Sequence, residues 1–281
     1  MEDPLNMQLT ILCDNSVLPR PGLMGEHGFA CHIATRDKHY LFDTGNGLGL
    51  LNNARACGID LTRLDAVLLS HGHWDHCGGL LKLLKLREGR PTPVYAHPGI
   101  FEEKVSREQG RERAIGPGFS QAAAQELGAE FHFSTNPVEL EAGLVFSGEI
   151  PRQASDAKDT RLYHRLGEQL VSDPLRDDQS LYLQTPVGLT ILCGCAHAGL
   201  RNILAHALAL SGASSIHGLI GGLHLMFADS DEQTRIIQDL NRYKIQLLGV
   251  SHCTGLAAVA QLLNHLSPHL VQAAVGSHFQ I

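Results

Sequence analysis

Short apolar runs of strand length alternate along this chain with stretches in which apolar residues recur every three or four positions. In the first half the strand-like runs fall at residues 8–13, 28–35, 39–43 and 66–70, and helical periodicity falls at 49–57 and 79–86. In the second half the runs fall at 180–185, 188–193, 216–221, 245–250 and 270–275, and helical periodicity at 200–210, 232–243 and 256–266. This alternation predicts an α/β protein.

Two of these runs, 180–185 and 188–193, are separated only by a turn at 186–188, which predicts a hairpin. Hairpins mixed with βα units predict mixed sheets flanked by helices. The order of elements is similar in the two halves, which indicates a structural pseudo-repeat.

The stretch between the halves, at about 98–178, is polar and charged and has only brief apolar runs. We expect one domain over 1–281 with an insertion or lid at about 98–178, because long excursions in compact domains are often functional. A solvated surface excursion without a function is the alternative.

Composition narrows the class of protein. A formal net charge of −7 argues against a nucleic-acid surface, and seventeen histidines favour metal binding. The seven cysteines have no disulfide-framework spacing, and no apolar window approaches the roughly 18 residues of a membrane span. We therefore expect a cytoplasmic protein that binds neither nucleic acid nor membrane.

The densest chemistry is HGHWDH, which begins at His71 directly after the apolar run 66–70. Side chains at positions i and i+2 of an extended backbone point the same way, so His71 and His73 can share one metal ion. Asp75 and His76, past a bend, can reach a second ion close by. A helix start with incidental histidines is the alternative.

The pattern H-x-H-x-D-H after an apolar strand resembles the signature of the metallo-β-lactamase superfamily. The resemblance extends to CDNS (13–16), EHGFA (26–30), LFDTG (41–45), YAHP (95–98), CGCAHAG (193–199), GGLHL (221–225) and SHCTG (251–255). This set is similar to the subgroup named for 7,8-dihydropterin-6-methyl-4-(β-D-ribofuranosyl)aminobenzene-5'-phosphate synthase. It implies a four-layer αβ/βα sandwich of two mixed sheets flanked by helices, with the metal site at one edge.

The resemblance also implies two divalent ions, with Zn²⁺ expected first and Mn²⁺ or Fe²⁺ as alternatives. His71, His73 and a third histidine would bind the first ion, and we choose His197 in its tight turn. Asp75, His76 and a late histidine would bind the second, and we choose His252, which follows the apolar strand at 245–250.

The chain departs from the superfamily where many members place a metal-bridging aspartate after a strand. Here Gly194 is followed by Cys195. A thiolate binds Zn²⁺ or Fe²⁺, so Cys195 is a candidate ligand, and a buried core cysteine is the alternative.

Other residues are candidates for supporting roles. Asp43 is expected to accept the outer N–H of a ligand imidazole and to fix its tautomer. His224 is the candidate proton donor, Asp75 the residue that orients water, and His27 a further group near the site. Arg152 is a candidate phosphate contact, as are the arginines at 107, 111 and 113.

These residues predict an enzyme: a metal-dependent hydrolase or group-transfer enzyme acting on a small, anionic, phosphorylated or pterin-like substrate. The expected chemistry is attack by a metal-bound hydroxide or metal polarisation of a phosphoryl group. Ester, lactone or phosphodiester hydrolysis is the alternative within the fold, and a non-catalytic ligand-binding or regulatory module is the alternative from another class. The negative net charge of the chain disfavours an RNA-processing nuclease. A redox variant with an iron pair and a flavin electron donor is also disfavoured, because its motif would have a carboxylate at position 73, where this chain has histidine.

Overall fold

The computed structural model describes residues 7–153, 159–266 and 269–281. Its strands are β1 (Gln8–Cys13), β2 (Ala30–Ala34), β3 (His39–Phe42), β4 (Ala66–Leu68), β5 (Thr92–Ala96), β6 (Lys104–Glu108), β7 (Arg111–Ala114), β8 (Ala129–Phe133), β9 (Val138–Glu141), β10 (Leu144–Phe146), β11 (Leu162–Leu166), β12 (Gln169–Ser172), β13 (Ser180–Thr185), β14 (Gly188–Cys193), β15 (Ile216–Gly222), β16 (Leu247–Ser251), β17 (Leu270–Gln272) and β18 (His278–Gln280). Its α-helices are α1 (Leu50–Ala56), α2 (Trp74–Cys77), α3 (Leu80–Leu86), α4 (Gln121–Glu126), α5 (Leu200–Ser211), α6 (Ser230–Tyr243) and α7 (Leu256–Leu266).

The described strands form two large sheets and one small sheet. The first large sheet has the order β18-β1-β2-β3-β4-β5-β8, and the second has the order β17-β16-β15-β14-β13-β10-β9. The small sheet has the order β12-β11-β6-β7.

Four layers follow from where the apolar side chains point. Ile11 and Leu192 belong to a core between the two large sheets, whereas Leu12 faces α1 and α3, and Ile191 faces α5 to α7. Strands buried on both faces read as continuous apolar runs, which explains why β1 and β14 were easy to predict. The predicted fold class, a sandwich of two mixed sheets flanked by helices, is confirmed.

The pseudo-repeat is visible in the strand pairing. The antiparallel pair β2–β3 continues into parallel β4, β5 and β8, and the antiparallel pair β13–β14 continues into parallel β15, β16 and β17. The carboxyl ends of both parallel sets are therefore available to one site.

The polar stretch 98–178 divides among all three sheets in its described part, and its residues 154–158 lie outside the described residues. Strand β8 extends the first large sheet, β9 and β10 extend the second, and the remaining strands form the small sheet. These strands escaped sequence analysis because their outward positions are polar; every residue of β7 is exposed. Strands β5 and β18 were also not predicted.

Most other predicted elements differ from the observed ones by one or two residues at their ends. Strand β17 ends at Gln272, although the apolar run continues to 275. No helix in the described ranges combines the length and the apolar character needed to cross a bilayer.

Candidate metal centre

The predicted site residues meet beyond the carboxyl ends of strands from both large sheets. Asp43 follows β3, the HGHWDH loop follows β4, and Cys195 and His197 follow β14; His224 and His252 follow β15 and β16. Open α/β sheets usually bind ligands at this edge, because the loops there converge.

Three histidines form the first group of candidate ligands. One ring nitrogen each from His71, His73 and His197 lies within 4.8 Å of the others. Nε2 of His71 is 2.9 Å from Nδ1 of His73. Nε2 of His73 and both ring nitrogens of His197 are shielded from solvent and have no hydrogen-bond partner. Buried polar atoms are nearly always paired, so these nitrogens fit a ligand that accepts their lone pairs.

Burial also sets the charge of these rings. It lowers the pKa of His71 and His197 well below the ordinary value and that of His73 to about 3. All three are therefore neutral at pH 7, which is the form of histidine that binds metal.

Asp43 fixes the tautomers of two imidazoles. Its Oδ2 accepts hydrogen bonds from Nδ1 of His76 and from Oγ of Ser70, both at 2.7 Å. Because Ser70 donates to Asp43, its oxygen accepts from Nδ1 of His71 at 2.9 Å. In their neutral forms, His71 and His76 would therefore carry the ring lone pair on Nε2. Burial alone would lower the pKa of His76, but the carboxylates of Asp43 and Asp75 outweigh it and raise that pKa to about 9.

A second group lies around Asp75. Its Oδ2 is 3.3 Å from Nε2 of His252, 3.2 Å from Nε2 of His27 and 3.9 Å from Nε2 of His76. Burial would raise the pKa of Asp75, but these imidazoles outweigh it and hold the pKa well below the ordinary value. The carboxylate is therefore ionised and suited to a cation. His27 is exposed and lies at the rim, against Trp74.

Cys195 lies between the groups of candidate ligands. Its sulfur is within 4.8 Å of donor atoms of His71 and His76, and also of His197 and His224. Gly194 brings it there: a Cβ at position 194 would lie 2.3 Å from Oγ of Ser70 and 2.7 Å from Oδ2 of Asp43. The thiol of Cys195 is therefore adjacent to both groups of candidate ligands. The backbone of Gly194 packs directly against Ser70 and Asp43, which orient the imidazoles.

His224 is held by partners on both ring nitrogens. Nδ1 is 3.6 Å from the sulfur of Cys195, and Nε2 is 3.3 Å from Oδ2 of Asp159. Burial alone would lower the pKa of His224, but the interactions with Asp159 and with the sulfur of Cys253 outweigh it and raise the pKa to about 9. A protonated His224 is the form that can donate a proton.

Backbone strain concentrates at this edge. Asp43, Ala196, His224 and His252 have φ angles of 59°, 57°, 54° and 48°. Residues other than glycine adopt this left-handed region at a cost, and they keep it where the surroundings fix a functional geometry.

Comparison with known proteins agrees with this geometry. A family model described as a β-lactamase superfamily domain matches residues 38–159. The 7,8-dihydropterin-6-methyl-4-(β-D-ribofuranosyl)-aminobenzene-5'-phosphate synthase of Methanocaldococcus jannaschii is 28% identical over 90% of this chain and 89% of its own length. An uncharacterized protein of the same organism is 29% identical over 90% of this chain and 93% of its own length.

Among solved structures, Tm1679, a metal-dependent hydrolase of the β-lactamase superfamily, matches over 98% of this chain and 99% of its own. The TM-score is 0.84 and the sequence identity is 26%. The chain has the metallo-β-lactamase fold and is similar to members of this superfamily over nearly its whole length.

Within this metallo-β-lactamase fold, a buried ion-pair network that sequence analysis missed holds the HGHWDH loop. Nζ of Lys104 is 2.9 Å from Asp177 and 3.2 Å from Asp173, and all three side chains are buried. The other carboxylate oxygen of Asp177 accepts the backbone N–H of Gly72 at 2.8 Å. Lysine and aspartate in a polar stretch gave no signal, because only the fold buries them.

Asp178 is a second residue that was not predicted. One of its oxygens accepts the N–H of Ala198 at 2.7 Å, and the other lies 3.8 Å from Nδ1 of His71 without a hydrogen-bond partner. Burial raises its pKa to about 7.

The predicted phosphate-binding arginines are dispersed. Arg152 is exposed and donates to the backbone oxygens of His197, at 2.9 Å, and Leu175, so its charge lies beside the His197 turn. Arg107 lies on β6 and pairs with Glu112 at 3.0 Å. Arg111 and Arg113 lie on exposed β7.

Proposed function

We propose that this protein is a metal-dependent enzyme that hydrolyses, or transfers a group from, a small anionic substrate. The observation that carries the proposal is the cluster of His71, His73 and His197, in which Nε2 of His73 and both ring nitrogens of His197 are buried without a hydrogen-bond partner. Next to it lies ionised Asp75 with His252. Neutral imidazoles with a carboxylate are a donor set that suits Zn²⁺, Fe²⁺ and Mn²⁺.

His71, His73 and His197 would hold one divalent ion, and Asp75, His76 and His252 a second, with Cys195 as a further candidate. Divalent ions in this position supply Lewis acidity and lower the pKa of bound water towards 7. Cytoplasmic location and a small-molecule substrate belong to the same proposal.

The chain's own residues supply the remaining chemistry. The ionised carboxylate of Asp75 lies 3.3 Å from Nε2 of His252. It positions a water molecule by accepting a hydrogen bond from that water. Nε2 of His224, held by Asp159, carries the proton that the leaving group receives. Arg152 adds a positive charge on the side of His197.

A phosphorylated or pterin-like substrate is supported by similarity to a protein named as a 7,8-dihydropterin-6-methyl-4-(β-D-ribofuranosyl)-aminobenzene-5'-phosphate synthase. The similarity covers 90% of this chain and 89% of that protein. Group transfer with a phosphate-containing leaving group would use the same cations and the same proton donor.

Ester or lactone hydrolysis is a second candidate, favoured by apolar side chains at the rim. Met226, Phe227 and Leu256 are 50%, 47% and 87% exposed, and Phe227 packs 5.0 Å from the ring of His224. An acyl chain would cover these groups.

Elemental analysis of protein purified without added metal tests the proposal, alongside His71→Ala, His252→Ala and the control His265→Ala. His265 is exposed and belongs to no donor group in the described part of the chain. We expect metal in the wild type and in the control, and loss in both site variants. Full metal content in His71→Ala would contradict the proposal.

Activity is then compared on a phosphodiester, a carboxylic ester and a phosphorylated pterin. Turnover that is abolished by chelation and restored by one divalent metal supports an enzyme. Saturable binding of these compounds with no product would favour the binding-module alternative.

A further inference from the structure

Two buried cysteines from different strands meet inside the site. The sulfur of Cys195, beyond β14, lies 3.0 Å from the sulfur of Cys253, beyond β16, although 58 residues separate them. Both are free thiols. Five further cysteines are buried or half-buried in the described chain, and none of those lies in a candidate donor group.

The meeting of these sulfurs depends on a glycine in the intervening strand. β15 separates β14 from β16, so the two outer strands are about 10 Å apart. Gly222 ends β15 beneath the two thiols, where a Cβ would lie 2.7 Å from the sulfur of Cys253 and 2.5 Å from the backbone oxygen of Gly194. The absent side chain leaves the space in which both thiols reach the same point.

A histidine completes this group. A ring nitrogen of His252 lies within 4.8 Å of the sulfurs of both Cys195 and Cys253. The sulfur of Cys195 is also within 4.8 Å of ring nitrogens of His71 and His76, so it lies between these two histidines and the Cys253–His252 pair. Sulfur, sulfur and imidazole nitrogen is a donor combination typical of Zn²⁺ sites.

We propose that Cys195 and Cys253 together supply two thiolate ligands to the ion bound by His252, beside a three-histidine site at His71, His73 and His197. The inference rests on the proposed metal centre and adds Cys253 to its ligands. The second position is therefore sulfur-rich where many superfamily members have a bridging carboxylate.

The chemical consequence is selectivity. Soft thiolates favour Zn²⁺ and Fe²⁺, and disfavour Mg²⁺ and Mn²⁺, relative to an all-oxygen and nitrogen site. Cysteine binds a metal ion as the thiolate, so the affinity of this position should fall as the pH falls.

Cobalt substitution tests the thiolate ligands directly. Chelated protein is reloaded with Co²⁺, and the ultraviolet sulfur-to-cobalt charge-transfer band is recorded together with the metal content. The variants are Cys195→Ser, Cys253→Ser and the double variant. Cys193→Ser is the matched control, because Cys193 is buried two positions from Cys195, faces the helix-side core and accepts a bond from Ser180. Thermal unfolding verifies that each variant is folded.

We expect a strong band in the wild type and the control, roughly half of it in each single variant and none in the double variant. Calorimetric titration with Zn²⁺ should show weaker binding in each single variant than in the wild type and the control. Both readouts are independent of catalysis. Should a single variant fail to fold, the charge-transfer band of the Co²⁺-loaded wild type still decides whether sulfur binds the ion.

Three results would overturn the inference: a full-strength band in Cys253→Ser, no band in metal-loaded wild type, or a disulfide between the two cysteines in protein isolated without oxidant. In the first two cases the proposed function still stands if the wild type binds metal and His71→Ala loses it. Absence of bound metal from all proteins would remove both.

Discussion

Asp43 lies 2.7 Å from Nδ1 of His76, and neither side chain is accessible to solvent. The same carboxylate reaches His71 through Ser70, so one residue beyond β3 sets the tautomers of two candidate ligands in the HGHWDH loop. Residues that orient metal ligands typically contribute strongly to affinity.

Replacement of Asp43 with Asn tests this role. Asn tolerates the left-handed backbone at position 43, but if its oxygen accepts from Ser70 Oγ and His76, its NH₂ group faces the backbone N–H of Ser70, which Oδ1 of Asp43 accepts at 2.7 Å. We expect metal affinity to fall about 10- to 100-fold, measured by competition with a chelator. Asp60→Asn, at an exposed turn that Asn can also cap, should keep wild-type affinity. Unchanged affinity in Asp43→Asn would show that the hydrogen bond is dispensable.

Removal of the Lys104 charge should destabilise the protein. Lys104→Met leaves the buried carboxylates of Asp173 and Asp177 without their cation, which costs about 3–5 kcal/mol. Urea unfolding measures the loss, and exposed Lys85→Met on α3 serves as the control, with a change within about 0.5 kcal/mol. Equal midpoints for the two variants would argue against the buried network.

A methyl group at position 194 should disturb both stability and the site. Gly194→Ala places its Cβ against Ser70 and Asp43, so we expect about 1–3 kcal/mol of destabilisation and weaker metal binding. Gly116→Ala is the matched control, because the nearest atom to its Cβ is 3.8 Å away. If Gly194→Ala and Gly116→Ala both have the same urea midpoint of unfolding as the wild type, the close contact at position 194 does not limit stability.

His32, away from the site, predicts a pH dependence of stability. It is buried on β2, with Nε2 3.1 Å from Nδ1 of His39, and burial followed by repulsion from His39 lowers its pKa from 6.5 to about 4. Between these values the unfolded chain binds more protons than the folded one, so stability falls as pH drops from 6.5 to 4. The loss from this group between pH 7 and 5 is about 2 kcal/mol.

Urea unfolding of chelated protein at pH 7 and pH 5 measures this effect without interference from metal release. His32→Gln removes the titrating group, so the variant should lose about 2 kcal/mol less than the wild type over this interval. An identical pH dependence of the two proteins would rule out His32 as the cause.

The strands of the sandwich were predictable where both faces are buried. β1, β13 and β14 begin and end at the predicted residues, because their apolar runs contrast with polar turns. The small sheet was not predictable, since its strands are short, polar and half exposed, and pairing between β6 and β11 depends on contacts distant in sequence.

The HGHWDH loop could be recognised from sequence because its chemistry is local. His71, His73, Asp75 and His76 lie within six positions after one strand, and their spacing alone brings their donor atoms near one another. The resemblance implied two further histidine ligands, and His197 and His252 were chosen because each follows a predicted strand; the structure brings both into donor groups with the loop. Whether they bind metal remains a prediction.

The sequence by itself determined the α/β class and the loop that holds the first candidate ligands, because periodicity and short spacing are local properties. The four-layer sandwich was implied by the resemblance of its motifs to the metallo-β-lactamase superfamily. The tertiary structure decided the rest: the Asp43–Ser70–His71 chain, the Lys104 network, Asp159 beside His224 and the Cys195–Cys253 pair. These residues are brought together by the order of strands in the sheets and by the missing side chains of Gly194 and Gly222. Burial then changes their pKa values, and no local pattern records which side chains the fold will bury.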